Sequence, residues 1–277
     1  MSVTLGQALL LGFVQGLTEF LPVSSTAHLA LAQRFLPGFS QPGILFDVLL
    51  HLGTLVAVTV YFRRRLLETA RGLVAADPAV RRGSWKLVLL LGFAVAMTGL
   101  VTLPLKKLAE EGMSDFRRIG FALIGTAVLL TVTQSVGKRR GDGGRDLGEV
   151  GVKDAAIVGL LQSVSAIFHG FSRSGNTISM GLFSGLSRKG AAEFSFLLSI
   201  PTILGAATVE CLSAWRHHPE SFSFGGALPA ELAGMAMAAV VGYLAVAVLL
   251  KRVVEMRLTP FIVYCGCLGV FLVAVAI

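Results

Sequence analysis

Charge is what this sequence has least of. Only 14% of its 277 residues are Asp, Glu, Lys or Arg, against about 25% in soluble domains. With a mean hydropathy of +0.76, that scarcity excludes an ordinary soluble globular protein. Polar stretches long enough for a large soluble domain are also missing. Cysteine is rare, and Cys211, Cys265 and Cys267 lack metal-ligand spacing. They read as small apolar residues within spans. The opening segment has no basic n-region, and its apolar stretch contains Gln15 and Glu19. It is therefore not read as a cleavable signal peptide.

Long apolar runs are present instead. Residues 87–105, 119–136, 191–212, 228–250 and 258–277 each approach the ~20 residues that cross a bilayer as a helix, and residues 46–62 form a shorter sixth run. The expectation is an all-α polytopic membrane protein, one integral membrane domain over 1–277 with about six transmembrane helices. The net charge of +8 sits mainly in short loops. That is the membrane pattern, and no nucleic-acid partner is expected. Residues 63–86 carry seven Lys or Arg, 137–154 carry five and 251–257 carry three, whereas 213–227 carry only Arg216. The richer loops are expected in the cytoplasm, which puts the C-terminus outside. The loop 106–118, with four positive charges, fits an outside position least well. The glycine-rich segment 141–148 reads as a flexible cytoplasmic linker.

An internal repeat then becomes visible. Residues 15–25 (Gln-Gly-Leu-Thr-Glu-Phe-Leu-Pro-Val-Ser-Ser) align with residues 162–172 (Gln-Ser-Val-Ser-Ala-Ile-Phe-His-Gly-Phe-Ser) at an offset of 147. Some twenty residues later, 46–54 align with 194–202 at an offset of 148. The repeats run over about 5–62 and 152–212, and loop charge gives them opposite sense across the membrane. Inverted repeats place a site near the midplane, where broken helices meet. Residues 5–36 are broken at Glu19, Pro22, Ser24-Ser25-Thr26 and His28. Residues 155–186 are broken at His169-Gly170, Arg173 and Gly175-Asn176. Non-helical backbone at membrane depth survives only inside protein or beside water. Two re-entrant helical hairpins, one from each face, are therefore predicted.

These breaks hold the chemistry. Glu19 lies one helical turn after Gln15, and a carboxylate in an apolar helix is a functional candidate; the alternative is a surface Glu capping the next loop. Ser24, Ser25, Thr26 and His28 follow Pro22. Their hydroxyls and the first N–H groups of the next helix suit an anion. Ser25 or His28 is a candidate nucleophile, and His28 a candidate general acid or base. Ser24 could equally cap the helix. Arg173 stands in an otherwise apolar stretch with Ser172, Ser174 and Thr177 beside it. Its guanidinium fork fits phosphate oxygens, and Gly175 allows close backbone approach, as in a phosphate nest. The alternative is a structural pair with Glu19 or Glu193. Asp47 and His51, four apart, are weaker candidates for the cavity wall. His217 and His218 read as solvated residues of an outer loop.

The paired motifs resemble the undecaprenyl-diphosphate phosphatase family, also called the bacitracin-resistance protein family. The first reads Gln15-Gly-Leu-Thr-Glu19-Phe-Leu-Pro-Val-Ser-Ser-Thr-Ala-His28, and the second His169-Gly-Phe-Ser-Arg-Ser-Gly-Asn-Thr177. The resemblance covers nearly the whole chain. It implies an intramembrane phosphatase of the prokaryotic cytoplasmic (inner) membrane, often a homodimer, with its site open to the outer face. The implied reaction converts undecaprenyl diphosphate to the monophosphate, recycling the lipid carrier for cell-wall synthesis. A divalent cation, Mg²⁺ or Ca²⁺, is implied as cofactor, held by Glu19 with help from Gln15. Ser24, Thr26, Ser172, Arg173, Ser174 and Thr177 are the implied phosphate ligands. Two positions depart from the family pattern. Gln15 stands where many members carry Glu, and His169 where Pro is usual. A polyprenyl-phosphate flippase would carry the same Arg and Glu, and is the rival reading.

Overall fold

Local chemistry sets the helix ends that matter. Thr4 and Gln7 form a reciprocal capping box that opens α1 (Leu5–Phe20). Leu21 is extended, as a residue before proline must be, so α1 stops at Pro22. Ser24 then caps α2 (Ser25–Phe35), its Oγ accepting the Ala27 N–H at 3.4 Å. The second break follows the same logic. α7 (Val152–Ile167) ends at extended Phe168, and Ser172 caps α8 (Arg173–Phe183) by accepting the Gly175 N–H at 3.2 Å. In this computed structural model, residues 3–39, 44–108, 115–141, 143–217 and 228–275 are described. Among them the regular structure is helical, with one isolated bridge between Arg145 and Leu186.

The remaining long helices are α3 (Ile44–Tyr61), α5 (Pro78–Thr102), α6 (Phe116–Arg140), α9 (Arg188–His217), α10 (Leu228–Val254) and α11 (Thr259–Val275). Each coincides with one of the six apolar runs. Four of them, α5, α6, α9 and α10, are individually long and apolar enough to cross a membrane. α3 turns through 71° into the Arg-rich α4 (Arg63–Gly72), and α11 is a shorter apolar helix of 17 residues. Bulky apolar side chains such as Leu89, Phe121, Val240 and Phe271 stay exposed around this bundle. Such a belt suits lipid rather than water.

The hairpin arms are too short to span. α1 and α7 have 16 residues each, and α2 and α8 have 11 each. At 1.5 Å per residue these are about 24 and 16 Å long, against a hydrocarbon core of about 30 Å. The arms find equivalent partners. α1 packs mainly on α10, and α7 packs mainly on α5. Both contacts are backbone-to-backbone. A Cβ on Gly12 would stand 2.2 Å from the Gly234 carbonyl oxygen, and one on Gly159 would stand 2.3 Å from that of Ala94. Only glycine permits either approach. Gly12 and Gly159 are themselves 147 residues apart, the offset of the repeat.

Two expectations change here. Segment 141–148 is not a free linker where it is described. Arg145 forks onto both Asp154 carboxylate oxygens at 2.7 and 2.8 Å and donates to the Ser184 carbonyl at 2.8 Å. Its own backbone joins Gly185 and Ser187. The sequence reads as flexible because glycine dominates, but one arginine docks the strap. Of the paired histidines, His217 ends α9, and His218 lies outside the described residues.

Candidate active site

The tips of the two hairpins meet. Glu19 closes α1, Ser25 opens α2 and Arg173 opens α8, and all three line one cavity of about 310 Å³. Two helix N-termini therefore converge on the same space. Their unpaired N–H groups and dipoles make it favourable to an anion. The walls come from α3, α5, α7 and α9, with Asp47, His51, Thr98, Ser165 and Glu210 among the polar contributors.

Glu19 is the hub. Its Oε2 accepts from the Ser25 hydroxyl at 2.6 Å and from the Gln15 amide at 3.0 Å. Its Oε1 takes the Arg173 guanidinium. The carboxylate is 7% exposed as a residue, so its charge depends on these donors rather than on water. His51 Nε2 stands 3.8 Å from Oε2, beyond direct hydrogen bonding. The His51 Nδ1 lies 2.8 Å from the Asp47 carbonyl. A carbonyl only accepts, so Nδ1 carries the hydrogen. In the neutral ring this leaves Nε2 bare toward the cavity.

The structure brings together only part of the predicted set. Glu19, Ser24, Ser25, Thr26, Ser172 and Arg173 line the cavity. Ser24 both caps α2 and bonds Thr26 at 3.1 Å. His28 is turned away. Its Nδ1 donates to the Ser24 carbonyl at 2.7 Å, and its Nε2 meets the Tyr264 hydroxyl at 2.7 Å, with the two rings stacked. Both nitrogens are engaged outside the cavity wall. Ser174 donates to the Leu21 carbonyl at 3.2 Å, tying one hairpin tip to the other. Thr177 bonds the Arg173 carbonyl at 2.9 Å and Ser195 at 2.5 Å. Both lie behind the lining rather than in it. Glu193 faces Lys189 at 3.8 Å, so the partner of Arg173 is Glu19.

Gln15 and Gln162 behave as a pair. Each has a buried amide oxygen without a hydrogen-bond partner. Gln162 uses its Nε2 on Thr98 at 2.9 Å and on Thr202 at 3.3 Å. Among the described residues no cluster of three or more His, Cys, Asp or Glu forms a metal cage. The oxygens at hand are the Glu19 carboxylate, the Ser25 hydroxyl and the orphaned amide oxygen of Gln15, which is buried behind the cavity lining rather than in it. Such a set fits a hard cation that completes its shell with substrate phosphates and water. Thr98, Ser165, Glu210 and Gln33 were not found by sequence reasoning. Gln33 donates to Asp47 at 2.9 Å. Its signal was weak, because α2 already carries Ser25, Thr26, His28 and Arg34.

Comparison with known proteins places the chain in a family. A family model described as "Bacitracin resistance protein BacA" matches residues 8–271. A protein of Syntrophotalea carbinolica named "Undecaprenyl-diphosphatase" is 42% identical over 262 residues, covering 95% of each chain. A protein of the same name from Gemmatimonas aurantiaca is 42% identical over 274 residues, covering 98% of each. Another, from Thermomicrobium roseum, is 39% identical over 285 residues, covering 97% of each.

Proposed function

The chain belongs to the bacitracin resistance protein family, and from that premise we propose that the hairpin-tip cavity hydrolyses undecaprenyl diphosphate to undecaprenyl phosphate and inorganic phosphate. It is a multi-pass membrane enzyme, a hydrolase acting on a phosphoric anhydride. The observation that carries the site assignment is the Ser25–Glu19–Arg173 cluster at the meeting point of two helix N-termini.

A diphosphate arrives with several negative charges, and its hydrolysis needs them held in place. Arg173 is the cation at the cavity. Its fork suits two oxygens of the terminal phosphate, and the N-termini of α2 and α8 add N–H donors. Ser24, Thr26 and Ser172 supply hydroxyls along the same wall. Ser25 is the nucleophile this geometry favours. Its hydroxyl already donates to Glu19 at 2.6 Å, so the carboxylate is placed to take the proton as Oγ attacks. The bond from phosphorus to the bridging oxygen breaks, and undecaprenyl phosphate leaves with its oxygen taking the proton from Glu19, which returns the carboxylate to its ionised form. Water then attacks the phosphoserine with Glu19 taking its proton, and as the phosphorus–Oγ bond breaks Glu19 passes that proton to Ser25 Oγ, releasing phosphate and restoring Ser25. His28 holds the turn before α2 rather than moving a proton. A divalent cation, Mg²⁺ or Ca²⁺, would be held by Glu19 and the orphaned oxygen of Gln15, and would neutralise diphosphate charge as substrate binds.

The polyprenyl tail stays in lipid beside the exposed apolar belt. The enzyme sits in the cytoplasmic membrane with its cavity toward the outer face. Charge supports that orientation. Arg63, Arg64, Arg65, Arg81 and Arg82 crowd the far end of α3 and the start of α5. The cavity takes Asp47, Thr98 and Glu210 from the opposite ends of α3, α5 and α9. The test is phosphate release from undecaprenyl diphosphate by purified protein in detergent, with and without chelator. Release that chelation suppresses is expected. Release unchanged by chelator would remove the cation from the account, and no release at all would favour transport across a sealed bilayer.

A further inference from the structure

A second cavity lies at the other end of the molecule, and nothing in the hydrolytic reading uses it. It measures about 290 Å³ and sits between α4, the start of α5 and the short 3-10 turn Leu147–Glu149. Ten residues, about 15 Å of helix, separate His51 in the catalytic cavity from Tyr61, where α3 bends into α4. The two cavities share no lining residue.

Its wall is divided. Arg65, Lys86 and Ser84 are polar, while Val80, Leu87 and Leu90 are apolar. The Arg65 Nε is sealed from solvent and has no hydrogen-bond partner. The side chain as a whole is 42% exposed and lines the cavity, so its terminal N–H groups are open to an acceptor from outside the protein. The Glu68 carboxylate is a loose partner, 3.8 Å from the Arg65 Nη1 and well exposed. A pair of that kind contributes little. Lys86 Nζ uses one donor on the Gly148 carbonyl at 3.1 Å and keeps two more. Arg64, Arg81 and Arg82 add positive charge nearby on the same two helices.

The surroundings of the cavity have the character of a membrane surface. α4 leaves α3 at 71° and carries Arg63, Arg64 and Arg65 in its first turn, which fits a helix lying along the interface. Trp85, between the lining residues Ser84 and Lys86 on α5, is half exposed, its indole N–H donating to the Leu73 carbonyl at 3.2 Å. Tryptophan in that posture belongs at headgroup depth. We propose that this cavity binds the headgroup of an anionic phospholipid, its phosphate on Arg65 and Lys86 and one acyl chain along Val80 and Leu87. Basic pockets beside membrane helices recognise acidic headgroups by this chemistry. Free phosphate would use the two cations but has nothing to lay on the apolar half of the wall.

Trp85 provides the test. The chain has two tryptophans, so Trp215→Phe leaves Trp85 as sole reporter. This protein is titrated in mixed micelles with phosphatidylglycerol carrying brominated acyl chains, and separately with brominated phosphatidylcholine. Half-quenching by the anionic lipid is expected at a mole fraction about thirtyfold lower, the preference two basic groups give at a surface. Arg65→Gln with Lys86→Gln should reduce that preference at least about tenfold, and Lys86→Gln alone should reduce it by a smaller factor. Hydrolysis at the separate cavity reports that both variants are folded. Coincident quench curves for the two lipids would overturn the proposal, as would a preference unchanged in the double variant. Relief of quenching by inorganic phosphate at the lipid's own concentration would reassign the cavity to free phosphate.

Discussion

Removing the charges of Glu19 and Arg173 one at a time and then together should separate what the pair does for the fold from what it does for the reaction. Arg173→Met takes away the guanidinium and strands a carboxylate that is 7% exposed. Glu19→Gln keeps the shape, but it leaves a guanidinium whose side chain is 18% exposed facing an amide. Breaking a buried pair from one side costs about 3–5 kcal/mol, because the surviving charge is uncompensated. Each single variant should therefore lose roughly 3 kcal/mol of unfolding free energy. In Glu19→Gln/Arg173→Met no charge is stranded, and most of that loss should return. Activity should behave differently. An arginine on the transferring phosphoryl group is worth about 10³–10⁵ in rate, and a positioned base about 10²–10⁴. All three variants should fall at least about a thousandfold in phosphate release, with the double no worse than the poorer single, since groups acting as a unit do not multiply. The assays are denaturant unfolding in detergent micelles and phosphate release at saturating lipid substrate. A double variant as unstable as the sum of the singles would refute the coupling. Arg173→Met retaining more than about a tenth of the rate would refute the phosphate role.

Other outcomes follow from the same geometry. Gly159→Leu and Gly12→Leu should each destabilise by more than about 3 kcal/mol, because the new side chain meets backbone at 2.3 and 2.2 Å. Gly6→Leu, with open space around its Cβ position, should stay within about 0.5 kcal/mol on the same unfolding curve. Gln15→Glu adds a second carboxylate one turn from Glu19 and should lower the cation concentration for half-maximal hydrolysis about tenfold, as ligand charge tunes affinity. Chelator-buffered titration measures it. Arg145→Ala removes the fork to Asp154 and should expose the strap around residue 145 to limited proteolysis while phosphate release per folded protein is unchanged.

Much of this architecture is legible in the residues because it depends on local signals. Apolar runs mark the long helices, and Pro22 and Ser172 end and restart the hairpin arms. Glu19 and Arg173 stand out because charge in an apolar helix needs a partner. Tertiary partners far away in sequence were not legible. His28 looks like catalytic chemistry beside Ser25, but Tyr264, 236 residues later, fixes its ring. Ser174 and Thr177 look like phosphate ligands in the motif, yet their hydroxyls bond Leu21 and Ser195. The segment 141–148 reads as a flexible linker by composition, but Asp154 captures Arg145. In each case the residue type was informative, and its direction was set by a contact that sequence spacing does not encode.

The most direct test of the account concerns Ser25, the hydroxyl that Glu19 holds at 2.6 Å. Phosphate release from undecaprenyl diphosphate is measured for Ser25→Ala beside the unsubstituted protein, both purified in detergent and matched for folded fraction. Ser25→Ala should lose at least about a thousandfold in rate, as expected when a nucleophile is deleted and only binding and electrostatics remain. A Ser25→Ala protein releasing phosphate at more than about a tenth of the normal rate would contradict it.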